Sequence, residues 1–293
     1  MTATPVRADA RRRFPTVRSS ALTPSRPARV DAPDGGLPAD VRRPLGPSED
    51  VVVRKAARAA EDAGDLAGAA RLVSVLPPDE MSSRWSGQLA ARCALPADAA
   101  PYVRGVCLLG PAQRWAAEGP GRQAMLQLAQ ATLRTGPGSA AEREARSSLL
   151  AAFDPLVADI ALFDDDMLNA YLQHALSPAV LSRCGPVAEW GQVPGTVFEV
   201  LATGDGSSSL VRPVLTPAHP DGETSASPVR VLGPAGAPGE LLYGRAVGAG
   251  IGELVFALPP VPLTPVHAGR VQRCLLRRSP AVERIRLLAR AAG

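Results

Sequence analysis

The sequence predicts an α+β fold: an all-helical N-terminal domain, then a small antiparallel β-sheet or partial-barrel module, then basic C-terminal helices. Three observations lead to this prediction. Apolar residues recur at helical spacing through residues 49–185. Across residues 190–262, short runs of Val, Leu and Phe alternate with clusters of Gly, Pro, Ser and Asp, which is the pattern of strands and turns. Helical spacing returns in residues 263–293, with arginine along one face.

Residues 1–48 are predicted to form a disordered arm rich in proline and arginine. This segment contains eight prolines and shows no apolar periodicity. Such a chain cannot bury enough apolar surface to offset its conformational entropy. Folded structure is expected to begin near Ser48, which can cap a helix that carries Glu49 and Asp50 in its first turn.

The first folded element is predicted to be a helical hairpin over residues 53–77. Small apolar residues recur along one face of each half, and Gly64-Asp65 separates the two halves. The Gly-Asp turn and the alanine at position 69 resemble the middle of a tetratricopeptide repeat, and this resemblance implies an αα-hairpin. No second copy follows at the spacing of that repeat, so a single hairpin is expected.

Six further helices are predicted before residue 185. In the first of them Trp85 is expected to be the buried anchor, and Ser139 and Glu142 form an S-x-x-E capping box in a later one. The predicted helices cover 81–93, 102–109, 113–118, 123–135, 139–153 and 167–176, with a Gly-Pro break between the second and the third.

Five short strands are predicted in the β module, and they fit a small twisted sheet. Their predicted bounds are 196–202, 208–215, 228–232, 240–247 and 252–258. Hairpin turns are expected at Asp205-Gly206 and at Gly248–Gly250, and residues 216–227 are expected to form a polar loop.

The order W…FEV…VR…GELLYGR…ELVFALPPVP, followed by a helix, resembles the C-terminal β module of some bacterial proteins that carry a SEC-C motif. The resemblance spans residues 190–276. The cysteine cluster of the SEC-C motif has no counterpart in this sequence. The resemblance therefore implies the β module and no zinc site.

The residue patterns point to no cofactor, no metal and no catalytic residue. The four cysteines lie far apart, at positions 93, 107, 184 and 274, so the spacing of zinc and iron–sulfur sites is missing. The glycines of residues 248–252 precede a strand-like stretch, which favours a hairpin over a phosphate-binding loop. Asp164–Asp166 are interpreted as helix-entry residues, with a divalent-cation site as the alternative.

Both ends of the chain are basic although the net charge is only +4. Residues 1–30 and 270–293 each carry seven arginines and one acidic residue, so the segment between them is acidic. A basic helical face can contact phosphates or an acidic partner, and it can also be simply solvated. The candidate binding residues are Arg270, Arg273, Arg277, Arg278 and Arg284.

A cytoplasmic, non-enzymatic bacterial protein is predicted, acting as a protein-interaction scaffold or adaptor. The abundance of Ala, Gly, Pro and Arg is typical of GC-rich bacterial genes. No apolar stretch is long enough to span a membrane, and no apolar region follows the arginines at 11–13 as a targeting signal requires. The partner is expected to be an unknown protein. The alternative is a nucleic-acid-associated regulator that binds weakly through its arginine-rich ends, and an enzyme with residues assembled in space is third.

Overall fold

The computed structural model of the protein describes residues 46–133, 139–204, 207–214, 226–250 and 252–292. The predicted arm therefore lies outside the described residues except at its last three positions. The Asp205-Gly206 turn and most of the predicted loop 216–227 also lie outside them.

Within the described residues, helices come first, a sheet follows, and two helices come last, which confirms the predicted α+β class. The first region contains α1 (Pro47–Ala63), α2 (Leu66–Val73), α3 (Glu80–Cys93), α4 (Pro101–Glu118), α5 (Arg122–Thr132), α6 (Ala140–Phe153), α7 (Pro155–Asp159), a π-helical turn (Ile160–Asp164), α8 (Met167–His174), α9 (Pro178–Leu181) and α10 (Val187–Trp190). The strands are β1 (Thr196–Thr203), β2 (Ser208–Pro213), β3 (Val229–Leu232), β4 (Leu241–Gly244), β5 (Ala246–Gly250), β6 (Glu253–Phe256) and β7 (Val261–Leu263). The closing helices are α11 (Pro265–Leu276) and α12 (Ala281–Ala292).

The predicted αα-hairpin is confirmed by α1 and α2. Gly64 ends α1 with a left-handed φ of 88°, and an added Cβ there would lie 2.8 Å from Cγ2 of Val180. The turn therefore requires glycine for its backbone conformation and for its close contact with α9. Asp65 begins α2, and its Oδ1 accepts a hydrogen bond from the backbone N–H of Gly68 at 2.8 Å.

A buried carboxylate joins α1, α3 and α4. Glu61 is only 1% exposed, and both of its carboxylate oxygens lie 2.8 Å from Nη2 of Arg114. Trp85 is fully buried, as predicted, and its Nε1–H donates to Glu61 at 2.9 Å. Arg92 also donates to this carboxylate. A buried charge is tolerated only when it is paired and hydrogen-bonded, and these contacts supply both conditions.

The prediction of two short helices at 102–109 and 113–118 is wrong, because α4 runs unbroken through Pro111. Proline inside a helix removes one hydrogen bond and costs about 3 kcal/mol, so tertiary packing must offset the break. Pro111 is itself buried, and a Cβ added at Gly110 would lie 2.8 Å from Oε1 of Gln88. The continuous helix carries Arg114 to Glu61.

The sheet has the strand order β5-β6-β3-β2-β1-β4-β7. Its pairs are antiparallel except β3–β6, in which Val231 pairs with Leu254 in parallel, so the sheet is mixed. The predicted strand 240–247 is two strands, because the chain leaves β4 at Arg245 and begins β5. The β5–β6 hairpin is confirmed in place of a phosphate-binding loop, although Gly248 and Gly250 lie in β5 itself.

The strand β7 lies in a proline-rich segment that was not predicted to be a strand. It pairs with β4 at the edge of the sheet, where proline is tolerated because one side of the strand needs no partner.

One hydrophobic core joins the first helices, the sheet and the last helices. It contains Trp85, Val197, Tyr243, Ile285 and Leu288 together with other apolar side chains of α1–α7. The division into separate domains at residues 49–185, 190–262 and 263–293 stays a prediction. In the part of the chain that the structure describes, no helix combines the length and apolar character needed to cross a membrane.

Candidate binding cleft

A cleft of about 630 Å³ opens between helices α5–α7 and α12 on one side and β4 and the segment 258–262 on the other. This volume lies within the range of ligand-binding pockets, about 300–1,000 Å³. Its walls are mainly apolar, and three prolines contribute to the segment after β6. The aliphatic wall residues include Leu133, Leu150, Leu156, Leu258, Val261 and Ala289.

Two charged side chains of the cleft wall, Asp154 and Arg146, differ in whether neighbouring groups compensate their charge. Asp154 caps α7, since its Oδ1 accepts the backbone N–H groups of Leu156 and Val157 at 2.9 and 3.0 Å. Arg146 of α6 is exposed and has no ion-pair partner among the described residues. The wall therefore presents one uncompensated positive charge.

The floor of the cleft is formed by Asp159 and Tyr243, which belong to a longer chain of charged and polar groups. The Tyr243 hydroxyl donates to Oδ2 of Asp159 at 2.7 Å, and Nε of Arg245 donates to Oδ1 at 2.9 Å. Nη2 of Arg245 lies 2.6 Å from Oδ1 of Asp164, whose Oδ2 lies 2.7 Å from Nη2 of Arg284. This chain connects the π-helical turn to the sheet and to α12.

Asp159 and Asp164 are five residues apart, yet both contact Arg245. In an α-helix, positions five apart point about 140° away from each other. A π-helical turn closes its hydrogen bonds between residues i and i+5, so the fifth residue returns close to the side of the first. The turn at Ile160–Asp164 therefore places both carboxylates on the guanidinium.

Burial and charge fix the protonation of the floor. Burial raises the pKa of the Asp159 carboxyl, against the opposing charge of Arg245. Burial, reinforced by the charge of Asp159, raises the pKa of Tyr243 well above its ordinary value of 10. Burial alone would lower the pKa of Arg245, but the charges around it, Asp159 first, hold it above its ordinary value. At neutral pH, Tyr243 therefore donates a proton in a hydrogen bond, and neither oxygen of Asp159 lacks a donor.

The structure separates the candidate residues that the sequence analysis selected. Arg270, Arg273 and Arg277 line a shallow groove of about 230 Å³ between α11 and α12. Arg278 and Arg284 line a different recess, of about 340 Å³, together with Arg245. Among the described residues, only Arg284 of these candidates has an ion-pair partner, which is Asp164, and the other four are exposed.

The interpretation of Asp164–Asp166 as capping residues is wrong in its details. Asp164 pairs with two arginines, and Asp166, which precedes α8, makes no side-chain cap. Its Oδ1 accepts instead from the side chain of Asn169 at 2.6 Å. As for a divalent cation, no group of three or more His, Cys, Asp or Glu side chains in the described ranges is placed to hold a metal ion.

No residue pattern in the sequence predicts the cleft. Its wall residues come from segments between positions 132 and 292, and most are aliphatic or proline. The one local signal was the proline-rich stretch that directly follows β6, because three of its prolines line the cleft.

The chain was compared with protein-family models, with curated proteins and with solved structures, and none of them matches it. The tetratricopeptide and SEC-C resemblances therefore stay predictions from residue pattern.

Proposed function

We propose that this chain is a non-enzymatic interaction protein that binds an apolar, acidic segment of a partner protein in the cleft. The observation that carries the proposal is the cleft itself, with its aliphatic walls and its volume of about 630 Å³. Apolar side chains that leave water for such a cleft gain about 25 cal/mol per Å² of buried surface.

The charge of the wall favours an acidic partner. Asp154 is compensated by helix N–H groups, and Asp159 is compensated by Tyr243 and Arg245. Arg146 is the charged group of the wall that has no partner among the described residues. A guanidinium binds a carboxylate through paired hydrogen bonds, so an Asp or Glu beside aliphatic residues would complement this wall.

The polar groups of the cleft support binding in preference to catalysis. The described residues that line it include no histidine, cysteine, serine or lysine. Each oxygen of the Asp159 carboxylate already accepts one hydrogen bond, from Tyr243 or from Arg245, so the carboxylate is engaged in the structure of the floor. A floor whose hydrogen bonds are already formed suits the recognition of a ligand, because it need not reorganise when the ligand enters.

Selection of binding peptides from a random library tests the proposal. We expect the wild-type protein to enrich peptides that combine aliphatic residues with Asp or Glu. Ala289→Phe should abolish their binding, because the new ring occupies the cleft. Ala141→Phe is the matched control, since Ala141 is an exposed residue of α6 that does not line the cleft.

The electrostatic part of the proposal has its own pair of variants. Arg146→Gln should weaken the selected peptides about tenfold, the effect of losing one charge-assisted hydrogen bond. Arg122→Gln, at an exposed position outside the cleft, should leave their affinity unchanged. If no peptide is enriched, or if the enriched peptides bind Ala289→Phe as well as the wild type, the proposal is wrong.

The arginine groove supports a second function, association with nucleic acid. Three exposed arginines, Arg270, Arg273 and Arg277, line one groove, and none of them is ion-paired within the described part of the chain. Glu283 also lines this groove, and its single charge leaves the three arginines with a net positive charge that phosphates could compensate. None of the described residues that line this groove is aromatic, so base stacking with them would not add to the binding.

A further inference from the structure

A second recess, of about 210 Å³, lies where the α1–α2 turn meets α3, α4 and α9. It is separate from the cleft, since none of the residues that the structure describes lines both. Three arginines line this recess, Arg92, Arg104 and Arg183, and none of the described residues in its lining is acidic. Three guanidinium groups around one small space repel one another unless an anion lies between them.

Two of these arginines are held in place by groups behind them. Arg92 donates through Nη1 to the buried carboxylate of Glu61. Arg104 is anchored on backbone carbonyls: Nη2 donates to Pro96 and Ala97 at 3.1 and 2.8 Å, and Nε to Ala99 at 3.3 Å.

The anchoring bonds leave donors free. Nη1 of Arg104, and Nε and Nη2 of Arg92, bond to none of the described residues. Side chains that are fixed before the ligand arrives lose little entropy when they bind it. The recess is therefore organised as an anion site in the free protein.

The charge balance of the recess calls for more than one negative charge. The single charge of Glu61 is shared between Arg92 and Arg114. Neither Arg104 nor Arg183 contacts a carboxylate within the described part of the chain. A phosphate monoester carries a charge of about −1.5 to −2 at neutral pH and three acceptor oxygens, whereas a carboxylate carries −1 and two oxygens. Guanidinium groups bind both anions, and the dianion compensates this recess better.

The rest of the recess is apolar and small. Leu66, Leu95, Leu108 and Val180 line it, together with two cysteines. Its volume is below the usual range of drug-sized pockets, about 300–1,000 Å³, which excludes large ligands such as dinucleotides. We propose that this recess binds a small phosphate monoester, with the phosphate on the arginines and a compact apolar group against the aliphatic side chains.

Titration calorimetry of the full chain with phenyl phosphate tests this proposal. We expect phenyl phosphate to bind more tightly than inorganic phosphate, which lacks the apolar group, and more tightly than benzoate or succinate, which lack the phosphate. Arg183→Gln should weaken phenyl phosphate about tenfold, the effect of one charge-assisted contact. Arg183 is exposed, so this variant should unfold at the same temperature as the wild type.

Arg71→Gln is the matched control, because Arg71 is an exposed arginine of α2 that does not line the recess. Its affinity for phenyl phosphate should equal that of the wild type. Equal weakening by both variants would indicate general charge attraction and overturn the proposal. Absence of phenyl phosphate binding, or tighter binding of succinate or benzoate, would overturn it as well.

Discussion

Replacement of Asp62 by asparagine should stabilise the protein at neutral pH and leave its stability unchanged in acid. Oδ1 of Asp62 accepts the hydroxyl of Tyr171 at 2.8 Å, a bond that the asparagine oxygen can also accept. Burial raises the pKa of this carboxyl from 3.8 to about 6, and the charge of Glu61 raises it further. The hydrogen bond from Tyr171 and the charges of Arg58 and Arg114 oppose the shift.

The sign of the effect follows from the raised pKa. Below pH 3.8, Asp62 is neutral in both the folded and the unfolded chain, so the wild type and Asp62→Asn should differ little. As the pH rises from 3.8 to about 6, the unfolded chain releases the proton while the folded chain retains it, so the wild type loses stability. Above about pH 6 the loss is complete and constant.

The size of the effect follows from the rise in the pKa of Asp62 from 3.8 to about 6. For a fully buried group, this rise corresponds to a loss of about 3 kcal/mol in the free energy of unfolding. Asp62 is only half-buried, and solvent screening reduces this to about 1.5 kcal/mol. We therefore expect Asp62→Asn to raise the free energy of unfolding by about 1.5 kcal/mol at pH 7.

Urea unfolding of both proteins at pH 4 and at pH 7 measures this difference. The control is Asp98→Asn, since Asp98 is exposed and makes no hydrogen bond or ion pair among the described residues. Its effect should be close to zero at both pH values, because its side chain is solvated in both states. A destabilising effect of Asp62→Asn at pH 7, or an effect that does not change between the two pH values, would refute the reasoning.

Two further predictions concern the core and the basic helices. Trp85→Ala should lower the free energy of unfolding in urea by about 3–5 kcal/mol, because it empties a buried site. Trp85→Phe, which keeps a ring but removes the donor to Glu61, should lower the free energy of unfolding by less. Equal urea midpoints for the wild type and both variants would show that the indole of Trp85 is not the anchor of the core. In fluorescence anisotropy with a random-sequence DNA duplex, binding should be weak, with a Kd above about 10⁻⁶ M at physiological salt. Its salt dependence should decrease when four arginines are changed to glutamine, and nanomolar sequence-specific binding would favour the regulator alternative. The four positions are Arg270, Arg273, Arg277 and Arg278.

The order of helices and strands could be predicted because those signals are local. The Gly-Asp turn after α1 and the capping box at Ser139 each determine a helix end through atoms within a few residues. The prediction of a break at Pro111 failed, because α4 continues through this residue at a buried position. Arg245 interrupts what reads as one strand, and the two aspartates that it contacts lie more than eighty residues earlier in the chain.

The candidate sites could not be predicted, because their residues also come from segments that lie far apart in the sequence. The cleft is formed by aliphatic side chains whose spacing indicates only that they are buried, and nothing in that spacing shows which of them border an opening. The recess at the α1–α2 turn joins Arg92 of α3, Arg104 of α4 and Arg183 of the turn after α9, and no motif relates their positions. By contrast, the arginines of α11 stood out because they share one helix face, yet the structure divides them from Arg278 and Arg284.

The π-helical turn at Ile160–Asp164 also bears on how this protein could change during evolution. A turn of this kind contains one residue more than the α-helical turn that would replace it, so a single-codon deletion could remove it. The deletion would leave the two aspartates four residues apart, and positions four apart lie on the same face of an α-helix. Arg245 would therefore keep both of its carboxylate partners. Related chains that lack one residue here should therefore retain an arginine at this position.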